Sequence, residues 1–158
     1  MNIFVLDEEP RVAAEYHCDN HSVKMVLEMA QMLSTAHRFY NATDPRFYKQ
    51  THPNHPCSIW VRESKENYLW AYELFKALSW QYTIRYGKTH LSWKKLKGVL
   101  ELPPSSIEKT SMTPFALAMP DEYKVDGDAV SSYRNYYLGE KAHLFKWTNV
   151  PTPDWINQ

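Results

Sequence analysis

The chain has 158 residues, with 18 Lys and Arg balanced by 18 Asp and Glu, and 15% of its residues are aromatic. A domain of that length buries roughly two-thirds of its unfolded surface and needs no disulfide or metal staple. Two cysteines make no disulfide framework, no run approaches the roughly 20 apolar residues that cross a bilayer, and a neutral total speaks against a broad grip on duplex DNA. No secretory segment is visible, so the cytoplasm is the expected compartment and no membrane association is expected.

Asn2 to Leu6 reads as a short buried strand, ended by the turn-like Asp7-Glu8-Glu9-Pro10. Pro10 suits the first turn of a helix, where its missing N–H costs nothing. No Pro or Gly interrupts the stretch from Arg11 to about Tyr40, which predicts one long helix. Asn41 to Pro56 is loop. A second long helix is predicted from about Ser58 to Tyr86, with Gly87 as its left-handed cap and Arg85 in its last turn. Ser92 can cap a short helix from Trp93 to Leu100, stopped by Pro103-Pro104. Ser105 to Tyr123 is an ordered loop with one or two short turns, although Ser105-x-x-Glu108 has the form of a capping box. Gly127-Asp128 starts a last helix, about Ala129 to Lys146, and the tail with Trp155 is expected to pack across the body. With no repeats, linkers or low-complexity tracts, residues 1–158 read as one mostly α domain, a compact helical bundle with a short N-terminal strand and long ordered loops.

The first helix carries a polar row. His17, His21, Lys24, Glu28 and Gln31 are spaced four, three, four and three, and Thr35 continues them, so they share one face. Val12, Val23, Val26, Leu27, Ala30 and Leu33 form the predicted core stripe. Met25, Met29 and Met32 flank the polar row, and a polar row between apolar shoulders is expected to be at least partly covered. Covered charges need partners or change their ionisation, which is how acid–base groups are made.

On the second helix Glu63, Asn67 and Trp70 share a face, with Trp60 and Arg62 within a turn, and an Arg beside a planar aromatic can cradle a phosphate or a base. A core Trp with a surface ion pair fits the same residues. In the last helix Tyr133, Arg134, Tyr137 and Lys141 could stack a base and hold a phosphate, or could simply pack. His52-x-x-His55-x-Cys57, and His17-x-x-x-His21 with Asp19 or Glu28, have metal-compatible donors, but neither completes a ligand signature, so no metal is expected. There is no Walker loop, dinucleotide fingerprint or Ser nucleophile elbow, and no cofactor is expected.

The segments Met1-Asn-Ile-Phe-Val-Leu-Asp7, His17-Cys-Asp-Asn-His21-Ser-Val-Lys24-Met, His55-Pro-Cys-Ser-Ile-Trp60, Arg85-Tyr-Gly87, Thr113-Pro-Phe and Tyr133-Arg-Asn-Tyr-Tyr137 resemble a small protein family widespread in tailed bacteriophages. The resemblance covers nearly the whole chain and implies a phage protein acting in the cytoplasm of an infected bacterium, but it carries no mechanism. More remotely, the chain is similar to the bacteriophage pyrimidine-dimer DNA glycosylases, compact helical enzymes of about this length. Their first helix carries a His and a catalytic Glu at the spacing of His21 and Glu28, and their C-terminal segment is aromatic and cationic like Tyr133 to Lys141. Those enzymes attack with a processed N-terminal amine, whereas Met1 followed by the bulky Asn2 should be retained, and they are distinctly basic. The resemblance therefore implies Glu28 as an acid–base group and leaves Lys24 as the substitute for a Schiff-base amine.

Three functions fit these residues. The first is an enzyme cleaving or transferring at a glycosidic bond of a nucleotide or nucleobase, with Glu28, His21, His17 and Lys24 catalytic and Arg62, Asn67, Trp70, Arg134, Tyr137 and Lys141 binding. The second is a non-catalytic binder that sequesters a nucleotide, for instance a host immune signal. The third is an interaction protein whose His-rich row docks a partner helix. DNA as ligand is disfavoured by the neutral charge. The spacing predicts that His17, His21, Lys24 and Glu28 face one cavity, with Arg62, Asn67 or Trp70 across it.

Overall fold

Pro10 starts the helical part of the chain as anticipated. The computed structural model describes residues 1–157, with Gln158 outside the described residues, and its regular structure is helical: α1 (Pro10–Tyr16), α2 (Asp19–Phe39), α3 (Pro56–Glu63), α4 (Lys65–Tyr86), α5 (Leu91–Leu96) and α6 (Ala129–Glu140), with short 3-10 turns at Asp121–Tyr123, Ala142–Leu144 and Asp154–Asn157. The pair α2 and α4 is the centre of the bundle, with α1 lying on α4 and α3 wedged beside both. No helix is long and apolar enough to cross a membrane among the described residues.

Residues 2–6 are buried, as predicted, but the described residues contain no strand. With no second extended segment beside it, this stretch has side chains for partners instead. Arg134 Nε donates to the Leu6 carbonyl at 2.9 Å, and the Asn2 amide donates to the Ala118 carbonyl at 2.7 Å. The apolar side chains of Ile3, Phe4, Val5 and Leu6 supply the driving force, since each buried side chain of this kind contributes about 1.5–3 kcal/mol.

The predicted helix from Arg11 to Tyr40 is two helices. His17 and Cys18 are extended (φ −63°, ψ 132° and φ −65°, ψ 163°). A helix break leaves orphan backbone groups that need partners, and here remote residues provide them. Arg85 donates to the carbonyls of Glu15 and His17, Trp147 Nε1 donates to the Tyr16 carbonyl, and the Cys18 N–H donates to the Tyr137 hydroxyl. The buried Asp19 then takes Arg85 at 3.2 Å together with the Thr148 N–H and hydroxyl. Arg85, read from the sequence as a last-turn cation, is thus a buried tie between α4, the α1–α2 break and the tail.

The second predicted helix is likewise divided, at Ser64, whose extended backbone (φ −148°, ψ 160°) lets its hydroxyl accept from the Asn67 N–H at 3.0 Å. Gly87 is left-handed at φ 71°, as required to close α4. The short helix after it is capped by His90, whose ring accepts from the Ser92 N–H, and so it starts at Leu91 and stops at Leu96. Ser105 does not start a helix, and the chain stays irregular until the 3-10 turn at Asp121–Tyr123. Asp128 caps α6 by accepting from Ser131, but α6 ends at Glu140 rather than Lys146, because the Lys146 carbonyl turns back to accept from the Asp19 N–H at the start of α2. Trp155 is buried in the described tail, with its ring 5.8 Å from that of Tyr16.

The face assignment of α2 also changes. Val23 and Leu27, placed in the core stripe, are 38% and 41% exposed, while His21, Glu28 and Thr35 of the polar row are buried. His21 is covered by Phe4 and Tyr137, Glu28 by Met1 and Thr35 by the loop at Thr51, while Lys24 of the same row stays exposed.

Candidate functional site

Burial of the apolar run Ile3–Leu6 fixes where the chain begins relative to α2. It sets the α-ammonium of Met1 3.2 Å from Glu28 Oε1, with both side chains nearly covered. The Met1 thioether accepts from the Ser58 hydroxyl on α3 at 3.7 Å, which holds residue 1 from its other side. Lys24, one turn before Glu28, approaches Oε2 at 3.8 Å from a solvent-exposed position. That is ion-pair range but too long for a hydrogen bond, and Oε2 is buried with no hydrogen-bond partner. One oxygen of this buried carboxylate thus meets an amine and the other has no hydrogen bond, an unmatched acceptor that calls for a role.

His55 belongs to the same neighbourhood. Its imidazole is shifted to more acidic ionisation first by burial, then by the positive Met1 terminus and His52, with Glu28 opposing. Its Nδ1 accepts from the Cys57 N–H and so caps α3. Since Nδ1 must be an acceptor there, the neutral ring carries its proton on Nε2. Among the described residues no three His, Cys, Asp or Glu side chains converge as a metal site would require.

The two histidines of the polar row form a second cluster. His17 donates from Nδ1 to the Ala13 carbonyl at 2.6 Å, while its Nε2 is buried without a partner. His21 stacks on Phe4 at 4.6 Å and bonds the Tyr137 hydroxyl at 2.8 Å. Burial pushes His17 down to about 4, helped by Arg85 and opposed by its bond to Ala13. Burial pushes His21 down to about 3, helped by His17, Lys141, Lys24 and His143. Both rings are therefore neutral at neutral pH. Tyr137 is pushed well above its ordinary value by burial, and its hydroxyl donates to Cys18 Sγ at 3.3 Å while accepting the Cys18 N–H. Lys141 lies over the Tyr136 ring at 5.3 Å.

The structure brings Lys24 and Glu28 together at the Met1 amine, and His17, His21 and Tyr137 together under Phe4. It does not set Arg62, Asn67 and Trp70 across from them. Arg62 donates to the Pro53 carbonyl at 2.6 Å and covers the Phe39 ring at 4.0 Å. The Asn67 amide spans the Trp60 carbonyl and the Thr113 hydroxyl, and its oxygen accepts from the Thr113 N–H, so it staples the loop to α3 and α4. Trp70 donates to the Glu8 carbonyl. Arg134 is taken up by Leu6 and Asp7 between the rings of Tyr16 and Trp155. Arg62, Asn67 and Trp70 are instead committed to loop segments at Pro53, Thr113 and Glu8.

Sequence reasoning set the terminal amine aside in favour of Lys24, because Met1 should be retained, and passed over Ser58 and the proximity of His55 to Glu28. The available signal was the apolar run beginning at Ile3, which has to bury and so carries residue 1 into the body. No family model matches this chain, and no curated protein or solved structure matches it either.

Proposed function

We propose that this chain cleaves or transfers at a glycosidic bond of a nucleotide or of a base in DNA, with the α-amine of Met1 as the attacking group and Glu28 as its acid–base partner. The observation that carries this reading is the 3.2 Å contact between that amine and Glu28, whose other oxygen has no hydrogen-bond partner. α-Amines as a class lose their proton roughly two to three pH units below lysine amines, so an α-amine is the better nucleophile near neutrality. Lys24, solvent-exposed and farther from the carboxylate, is better suited to holding a phosphate of the substrate than to attacking. The similarity to the pyrimidine-dimer glycosylases supports only Glu28 as the acid–base group; their amine is that of a processed terminus, so the choice of the Met1 amine over Lys24 rests on the 3.2 Å contact and not on that similarity.

The chemistry balances without a cofactor. The amine, having lost one proton to Glu28, attacks C1′. The C1′–N glycosidic bond breaks, and the departing base takes up a second proton, shed by the attacking nitrogen once it is bonded to C1′. Glu28 then returns its proton to the ring oxygen as the sugar opens, and the amine and C1′ are left joined as an iminium, which water hydrolyses. Burial of the carboxylate strengthens its interaction with the cationic iminium.

Glu28→Gln keeps the shape of the side chain and removes its charge, so base release should fall by about 100-fold or more while the thermal midpoint changes little. Adding two residues before Met1 should abolish the reaction as well. Full base release by both variants would contradict the assignment. A second reading, a binder that sequesters a nucleotide without turnover, draws on the neutral total charge and on histidines already committed inside the fold. Stoichiometric binding with no base release separates it from the first.

A further inference from the structure

The helix α4 is apolar on both sides. Its inner face buries Tyr68, Leu74, Phe75 and Leu78, yet its outer face still presents Leu69 at 41% exposure and Trp80 at 62%. A helix apolar all round belongs in an interior rather than at a surface. Between the two exposed apolar residues lie Glu73 and Lys76, both exposed, and among the described residues neither has an ion-pair partner within the chain. Grooves flank this ridge on both sides. One of about 550 Å³ is walled by Pro10, Trp70 and Met112. The other, of about 520 Å³, is walled by Trp93 and Leu102.

We propose that this face binds a second copy of the same chain, with the two α4 helices antiparallel and the two-fold axis passing between Glu73 and Lys76. A two-fold interface must be self-complementary, because residue i meets residue j and j meets i. The order Leu69, Glu73, Lys76, Trp80 meets that demand. Leu69 lies as far before the midpoint as Trp80 lies after it, and Glu73 and Lys76 straddle it. Antiparallel pairing therefore sets each Glu73 against Lys76 of the second copy and each Leu69 against its Trp80. A partner of different sequence would gain nothing from this symmetry of charge and size. The 22 residues of α4 span about 33 Å, and the ridge with its two grooves is broad enough for an interface of standard size, roughly 800 Å² per copy. Each ridge enters the grooves of the other, as packed helices do.

Sedimentation equilibrium across micromolar concentrations tests the pairing on the full chain. The wild type should approach twice its 18.7 kDa mass. Trp80→Ser should be monomeric at the same concentrations. Glu73→Lys and Lys76→Glu each bring like charges from both copies to the axis, and each should weaken the dimer by roughly tenfold or more. An equimolar mixture of those two variants restores alternating charge and should form a heterodimer. All the positions changed here are exposed on the outer face, and unchanged circular dichroism spectra would show the fold retained. A mass of 18.7 kDa at every concentration overturns the proposal, as does a dimer indifferent to these variants or a mixture that stays monomeric.

Discussion

Acidification should destabilise this fold through histidines it holds neutral. His17 is the clearest case: it is buried, its Nε2 has no partner, and burial pushes it down to about 4 from an ordinary 6.5. The folded value lies below the unfolded one, so the unfolded chain takes up the proton first. Stability is therefore full above about pH 6.5 and falls as the pH drops toward 4. A tenfold difference in proton affinity between the folded and unfolded chain is worth about 1.4 kcal/mol, so His17 alone costs about 2 kcal/mol at pH 5 and about 3 kcal/mol once the folded form titrates. His21, pushed down to about 3, adds a loss of the same sign over the same range and below it. His37, pushed down to about 4 by burial against a bond to the Leu102 carbonyl, adds a smaller one because it is partly solvated. A domain with a typical margin of about 5–15 kcal/mol would lose a large part of it. Urea unfolding at half-unit steps from pH 7.5 to pH 4.5 measures the slope. His17→Asn retains an amide donor for the Ala13 carbonyl and should remove about one proton's worth of that slope. A stability independent of pH between 7 and 5, or an unchanged slope in the variant, would refute the reasoning.

Tyr137→Phe should cost about 1–3 kcal/mol, since it leaves the buried Cys18 N–H without its acceptor and His21 without its partner, and calorimetry reads the loss directly. Binding to random duplex DNA should be poor at physiological salt, with a log–log salt slope of only about one or two units, because the chain is neutral and Arg62 and Arg134 are occupied within the fold. Titrations of duplex, single strand and mononucleotide across a salt series check it, and a slope of several units would restore a duplex footprint.

The parts of the fold set by local chemistry were legible in the sequence. Pro10 opens α1, Gly87 closes α4, Asp128 caps α6, and the loop after Asn41 runs to His55. What was not legible depends on distant residues. The break at His17 and Cys18 has no Pro or Gly to announce it, and it is held by Arg85, Tyr137 and Trp147, far along the chain. The same holds for α2, where Phe4 and Tyr137 cover His21 and Met1 covers Glu28, from segments whose positions no periodicity within α2 can reveal. The flanking methionines Met25, Met29 and Met32 did signal that the row is partly covered, and all three are buried. The burial of Glu28 fits its place in the row. The Met1 amine beside it was set aside in the sequence because a retained Met differs from a processed terminus, and only the course of residues 2–6 brings the two together.

The central claim is that the Met1 amine, and not Lys24, attacks a sugar carbon. Borohydride reduction of the protein mixed with oligonucleotides carrying an abasic site or a damaged base traps an iminium as a stable amine, and mass spectrometry of the peptides locates it. The account predicts an adduct on the peptide that contains Met1, lost in Glu28→Gln and in a chain extended before Met1, and retained in Lys24→Ala. An adduct on Lys24, or none with any substrate that the protein demonstrably cleaves, would contradict it.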